Sequence, residues 1–99
     1  MIVVAGTVHI DPTRQAEALA LMQTMMEATQ QEDGCITYQF YTNPWQPAEI
    51  FVFEEWASIK ALNAHFATPH MATFRQHLPQ YVTRAAAIKR YTIADMADL

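Results

Sequence analysis

An α+β fold built on one antiparallel sheet is predicted by three observations. Four short runs are rich in β-branched and aromatic residues, two amphipathic stretches separate them, and one run is apolar on both of its faces. The first run, Met1 to Ile10 (MIVVAGTVHI), ends at Asp11-Pro12, which reads as a strand followed by a helix cap and a first-turn proline. From Thr13 to about Gln31 the residues Ala18, Leu21, Met22, Met25, Met26 and Thr29 recur at steps of three and four, the period of a helix with one buried face. Asp33-Gly34 stops that helix.

Cys35 to Thr42 (CITYQFYT) has strand composition, and Asn43 to Pro47, with two prolines, is expected to be a loop. Glu49 to Trp56 (EIFVFEEW) is the third strand. Ser58 then caps a short helix with Ile59, Leu62 and Phe66 on its buried face, and Thr68-Pro69 begins another whose stripe is Met71, Phe74 and Leu78. Ile88 to Ile93 supplies the last strand. Strand, helix, strand, strand, helix pair, strand is the ferredoxin-like plan, with residues 1–99 as a single domain.

Alternate side chains of a strand point to opposite faces, so the third strand carries Ile50, Val52 and Trp56 on one side and Phe51 and Phe53 on the other. Helices cover only one side of such a sheet. Phe51 and Phe53, with Tyr41, are therefore expected to meet a second copy of the chain, giving a homodimer with a barrel-like body. The composition agrees: 52% hydrophobic and 16% charged residues is more apolar surface than 99 residues can hide alone.

A net charge of −4 and the absence of any Lys/Arg cluster argue against nucleic acid and against an anionic membrane as partners. No run approaches the ~20 apolar residues of a membrane span. Cys35 is the only cysteine and Met1 to Ile10 lacks a basic leader, so a reducing cytoplasm is the expected location. Gly6 and Gly34 are the only glycines, which leaves no phosphate-cradling loop and no expectation of a nucleotide cofactor.

The segment FEEWASIKALNAHFATPHMATF, Phe53 to Phe74, carries Glu54-x-Trp56, Ala64-His65 and Thr68-Pro69-His70. With the opening strand, the D-G-C turn and the closing strand, it resembles the antibiotic biosynthesis monooxygenase family, quinol-monooxygenase-like members in particular. The resemblance implies a dimeric α/β barrel with a pocket between sheet and helices in each subunit. It implies, for some members, oxidation of anthrones, quinols or naphthols by O2 with neither metal nor flavin. Trp56 matches a pocket-lining tryptophan of the polyketide-oxidising branch and Arg75 an arginine of it. Val52 and Leu62 stand where that branch has asparagine and tyrosine. Thr7, His65 and Arg75 align with the asparagine, tryptophan and histidine of the haem-degrading branch, which points away from haem.

Each candidate site residue has a functional and a structural reading. Glu54 shares a face with Val52 and Trp56, so it points inward, either as a base of raised pKa or paired with Arg75 or a helix end. Glu55 must face the other way. His65 and His70 flank the helix break and could reach one cavity, as bases near neutral pKa or as donors to backbone carbonyls. Together with Glu54 they include possible metal ligands, yet no His-x-x-x-His or Cys-x-x-Cys spacing enforces a coordination sphere, so no metal is expected. Arg75 is a candidate oxyanion donor or a surface charge.

The expected activity is oxidation of a small phenol or quinol by molecular oxygen without a cofactor. His65 or Glu54 removes the proton, Arg75 holds the anion, and Trp56, His70, Val52 and Leu62 contact the substrate. The alternatives are an isomerase of a small carbonyl compound using the same groups, and a ligand-binding protein without chemistry.

Overall fold

A computed structural model describes residues 1–99. Its elements are β1 (Ile2–His9), a 3-10 turn (Pro12–Arg14), α1 (Gln15–Thr29), β2 (Cys35–Asn43), β3 (Gln46–Trp56), α2 (Ile59–Phe66), α3 (Pro69–His77), a second 3-10 turn (Leu78–Gln80) and β4 (Ala87–Thr92). The sheet order is β2-β3-β1-β4, antiparallel throughout, which is the predicted ferredoxin-like arrangement. The element order follows from local signals. Asp11 accepts from the Thr13 N–H, Ser58 from that of Ala61 and Thr68 from that of Met71, and Pro12 and Pro69 sit in first turns where a missing N–H costs nothing.

Two expectations are corrected. The segment Asn43 to Pro47 is not a loop: β3 begins at Gln46 and only Pro44-Trp45 separates it from β2. Pro47 is tolerated because it lies beyond the last β1–β3 pair, His9 with Glu49, and the β2–β3 ladder slips between Thr42 and Asn43. The buried face of α2 is also turned from the one expected. Leu62 and His65 are inside while Ile59 and Phe66 are more than 40% exposed.

The helices pack on the face presenting Ile2, Val8, Ile50, Val52 and Trp56, and with Met22, Met25, Phe40 and Leu62 these form the core. The register puts Tyr41, Phe51 and Thr7 in one row of the other face, Gln39, Phe53 and Ala5 in the next, and Val3 and Tyr91 in a third. No helix covers that face, and Tyr41, Phe51 and Tyr91 are about half exposed. β4 is exposed along its whole length. No helix is long and apolar enough to cross a membrane.

Candidate active site

The β2–β3 hairpin and α2 enclose a buried polar cluster. Glu54 lies opposite Tyr38 in the ladder and on the helix-facing side of β3, where it is 8% exposed. Trp56, two residues on and therefore on the same face, is fully buried and donates Nε1–H to Glu54 Oε1 at 2.9 Å. Burial pushes the Glu54 carboxyl up to about 7, with the nearby negative charge of Glu32 adding to it and the Trp56 N–H opposing it. Desolvation, with the charges of Glu54 and Glu32, likewise pushes the Tyr38 phenol far up. Of the alternatives for Glu54, the ion pair with Arg75 is not formed: the Arg75 guanidinium lies over the Phe66 ring, 5.5 Å from its centroid, and reaches the Phe66 carbonyl at 3.4 Å.

His65 and His70 do converge, but on a residue that the sequence left unnoticed. His65 Nδ1 and His70 Nε2 each lie 2.7 Å from the same oxygen, Oε2 of Glu32. Where the carboxylate oxygen is the acceptor, the donors are the Nδ1–H of His65 and the Nε2–H of His70. Glu32 sits in the turn after α1, and the turn reaches α2 because of Gly34. Its φ of +81° is left-handed, and a Cβ there would come within 2.6 Å of the Ala61 Cβ. The Gly34 carbonyl also accepts from Ala57 N–H at 2.8 Å, fastening the turn to the end of β3.

His65 is 1% exposed, its ring tilted against Trp56 at 4.8 Å between centroids and 5.5 Å from Tyr38. Burial lowers its pKa despite its hydrogen bond to Glu32, which favours the neutral ring. An imidazole held by a carboxylate is an arrangement able to move a proton. Ligand atoms of Glu32, His65 and His70 lie within 4.8 Å of one another, and two imidazoles with one carboxylate could hold a divalent ion if both rings gave up those protons. Glu54, the acid that the sequence places among possible ligands, is bonded to Trp56 and is not part of that set.

The roomiest concavity lies elsewhere, between α3, the turn that follows it and β4. A groove of about 530 Å³ is lined by Met71, Phe74, Leu78, Val82 and Ile88, with Arg75 and Arg84 among its polar neighbours. Of the predicted site residues only Arg75 reaches it. Trp56 and Val52 of β3 and Leu62 of α2 are core residues. His70 faces a smaller cavity of about 190 Å³ toward α1, and Phe74 borders both.

Comparison with known proteins settles the family. The profile described as "Antibiotic biosynthesis monooxygenase" matches residues 1–77, more than half of the chain. The chain belongs to the antibiotic biosynthesis monooxygenase family. The uncharacterized Synechocystis protein sll1783 is 38% identical over 98 residues, which are 99% of this chain and 67% of that one. Rv0793 of Mycobacterium tuberculosis, whose designation as a monooxygenase is itself provisional, is 31% identical over 77 residues, 78% of this chain and 75% of that one. The solved structure of Rv0793 superposes with a TM-score of 0.89 at 28% identity, covering 98% of each chain. A Deinococcus radiodurans structure superposes at 0.91 with 24% identity, over 100% of this chain and 98% of that one, which speaks for the fold alone.

Within the antibiotic biosynthesis monooxygenase family the resemblance in Phe53 to Phe74 thus marks true membership. What sequence reasoning missed is Glu32, thirty-three residues before His65, and the pairing of Arg75 with Arg84 across one groove. In the sequence Glu32 is only an acid two residues before the turn glycine Gly34, where the chain reads as the end of a helix.

Proposed function

We propose that the protein is a cofactor-independent monooxygenase that oxidises a small phenol or quinol with O2. The observation that carries the reading is the buried His65 ring, whose Nδ1 is anchored on Glu32 at 2.7 Å and whose Nε2 is thereby left as the proton acceptor. The substrate's ring lies in the groove, whose volume falls within the ~300–1,000 Å³ of small-molecule sites, and Arg75 holds the phenolate oxygen. His65 takes the hydroxyl proton, and the electron-rich anion reduces oxygen directly. For a hydroquinone, one oxygen atom enters the ring, the other leaves as water, and all four electrons come from the substrate, which ends as a hydroxyquinone. No outside reductant is required.

Because His65 is sealed from the groove, the reading includes an opening of the α2–α3 corner, which the Thr68 hydroxyl closes by donating to the His65 carbonyl at 2.8 Å. Trp56 and Leu62, beneath that corner, then contact the ring, with Val52 as the floor and His70 relaying the proton outward through Glu32. A dianionic intermediate is avoided by Glu54, which at about 7 can accept or return a proton.

Oxygen uptake by metal-stripped protein is the test, with a panel of quinols and naphthols. Stimulation over the uncatalysed rate is expected for at least one of them, falling by ~10²-fold or more in His65→Ala and by ~10²–10³-fold in Arg75→Ala. Uptake at the uncatalysed rate with every compound would remove the assignment. The raised Glu54 carboxyl equally suits proton transfer next to a carbonyl, an isomerase reaction, and turnover that persists without oxygen would favour it.

The open sheet face is the surface we propose for the second copy, with Phe51 and Phe53 at its centre. Sedimentation of the wild-type chain should give a dimer and of Phe51→Asp a monomer. A wild-type monomer at micromolar concentration would contradict the interface. The lone Cys35, whose thiol burial pushes up to about 11, fits the reducing cytoplasm that we propose as its location.

A further inference from the structure

The groove between α3 and β4 combines features that a neutral hydrocarbon site does not need. Its walls are Met71, Phe74, Leu78, Val82 and Ile88, and two guanidinium groups, Arg75 and Arg84, stand among them. The chain has ten acidic side chains against six basic ones, yet no aspartate or glutamate lines this groove. Neither arginine has a carboxylate within ion-pair distance; the only such pairs in the protein are Arg14 with Glu17 and the two histidines with Glu32.

What the two arginines do touch is weak in charge terms. Arg75 rests over the Phe66 ring with one long contact to a carbonyl, and Arg84 reaches His9 Nδ1 at 3.1 Å. Both side chains are exposed and each guanidinium has five donors, so most of them are open to solvent or to a ligand rather than met by a protein acceptor. Arginine's planar fork matches a carboxylate in two parallel hydrogen bonds, and two such groups beside low-dielectric walls focus a positive potential on the groove in an otherwise acidic molecule. The backbone leading to Arg84 is held in place as well. The Thr83 N–H donates to the His9 carbonyl at 3.0 Å, pinning the loop from Val82 to Arg84 to the end of β1.

We propose that the groove binds an aromatic acid, a planar apolar ring system carrying a carboxylate, with the carboxylate on Arg84 and the ring between α3 and Ile88. The division of labour rests on the proposed function, in which Arg75 is kept for the ionising hydroxyl. Arg84 is then a specificity residue, since it meets a part of the ligand that does not react. A ligand without the acid group leaves the Arg84 guanidinium no better placed than in water and gains nothing from it.

The test compares a matched pair, 1-hydroxy-2-naphthoic acid and 1-naphthol, by calorimetric titration of the full chain at pH 7.5. The acid is expected to bind at least tenfold more tightly, with the gap shrinking severalfold in ~1 M NaCl, where the screening length of partly exposed charges falls to ~3 Å. Arg84→Gln should remove most of the gap while Arg84→Lys, checked for native circular dichroism, keeps part of it. Equal affinity of the two compounds overturns the aromatic-acid assignment and leaves the groove reading standing. A preference for the acid that survives Arg84→Gln also overturns it, because the charge is then met elsewhere. Binding of neither compound overturns the assignment and the groove reading together.

Discussion

Glu54→Gln is expected to be more stable than the wild-type protein above pH 7, by about 3 kcal/mol, and equal to it near pH 4.5. Burial raises the carboxyl from 4.5 to about 7 in the folded protein, and each unit of such a shift is worth ~1.4 kcal/mol. The sign follows from proton counting. Between the two values the folded chain holds a proton that the unfolded chain has released, so wild-type stability falls as pH rises through this window and stays low above it. Glutamine does not titrate, and its carbonyl oxygen can still accept the Trp56 N–H that Glu54 Oε1 accepts at 2.9 Å.

Urea unfolding at half-unit steps from pH 4.5 to 8.5 measures the effect. His65 contributes a slope of the other sign below its ordinary range, since its lowered pKa means that the unfolded chain takes up the proton first. That slope is common to both proteins and cancels in their difference. Parallel stability curves would show that Glu54 titrates normally and would remove it as a candidate acid or base. On the proposed function, in which Glu54 exchanges a proton near neutral pH, the stabilised variant should lose turnover as it gains stability.

Gly6→Ala is expected to unfold the β4 edge and lose the groove with it. A Cβ at Gly6 would lie 2.1 Å from the Ala87 carbonyl oxygen and 2.5 Å from the Ile88 Cα. Both are backbone atoms of the paired strand, so no rotamer change relieves the clash. Overpacking of this kind costs ~1–3 kcal/mol where side chains can yield, and more where they cannot. β4 is exposed on both faces and holds to the sheet through β1 alone, so it has little burial with which to resist. Hydrogen exchange should show the amides of residues 87–92 losing protection while those of β2 and β3 keep theirs. Retained protection across β4, with stability within ~1 kcal/mol of wild type, would contradict the close approach.

The elements were legible in the sequence wherever a local rule governs them. The 3.6-residue stripe of α1, the caps at Ser58 and Thr68 and the two-faced β3 all appear where expected. Local rules failed at Pro47, because whether a proline breaks a strand depends on which neighbour its N–H would have faced. They failed also on α2. The apolar stripe Ile59, Leu62 and Phe66 leaves out His65, which is the more buried residue because a carboxylate holds its ring.

By itself, the sequence determined the order of strands and helices, the apolar twin faces of β3 and the inward direction of Glu54 and Trp56, since these depend on periods of two and 3.6 along a short stretch of chain. The tertiary structure alone decided that Glu32 lies between His65 and His70 and that Arg75 and Arg84 share one groove. Those contacts join residues that no local period relates, and they exist only because Gly34 lets a turn press against α2 and because Gly6 lets β4 close on β1.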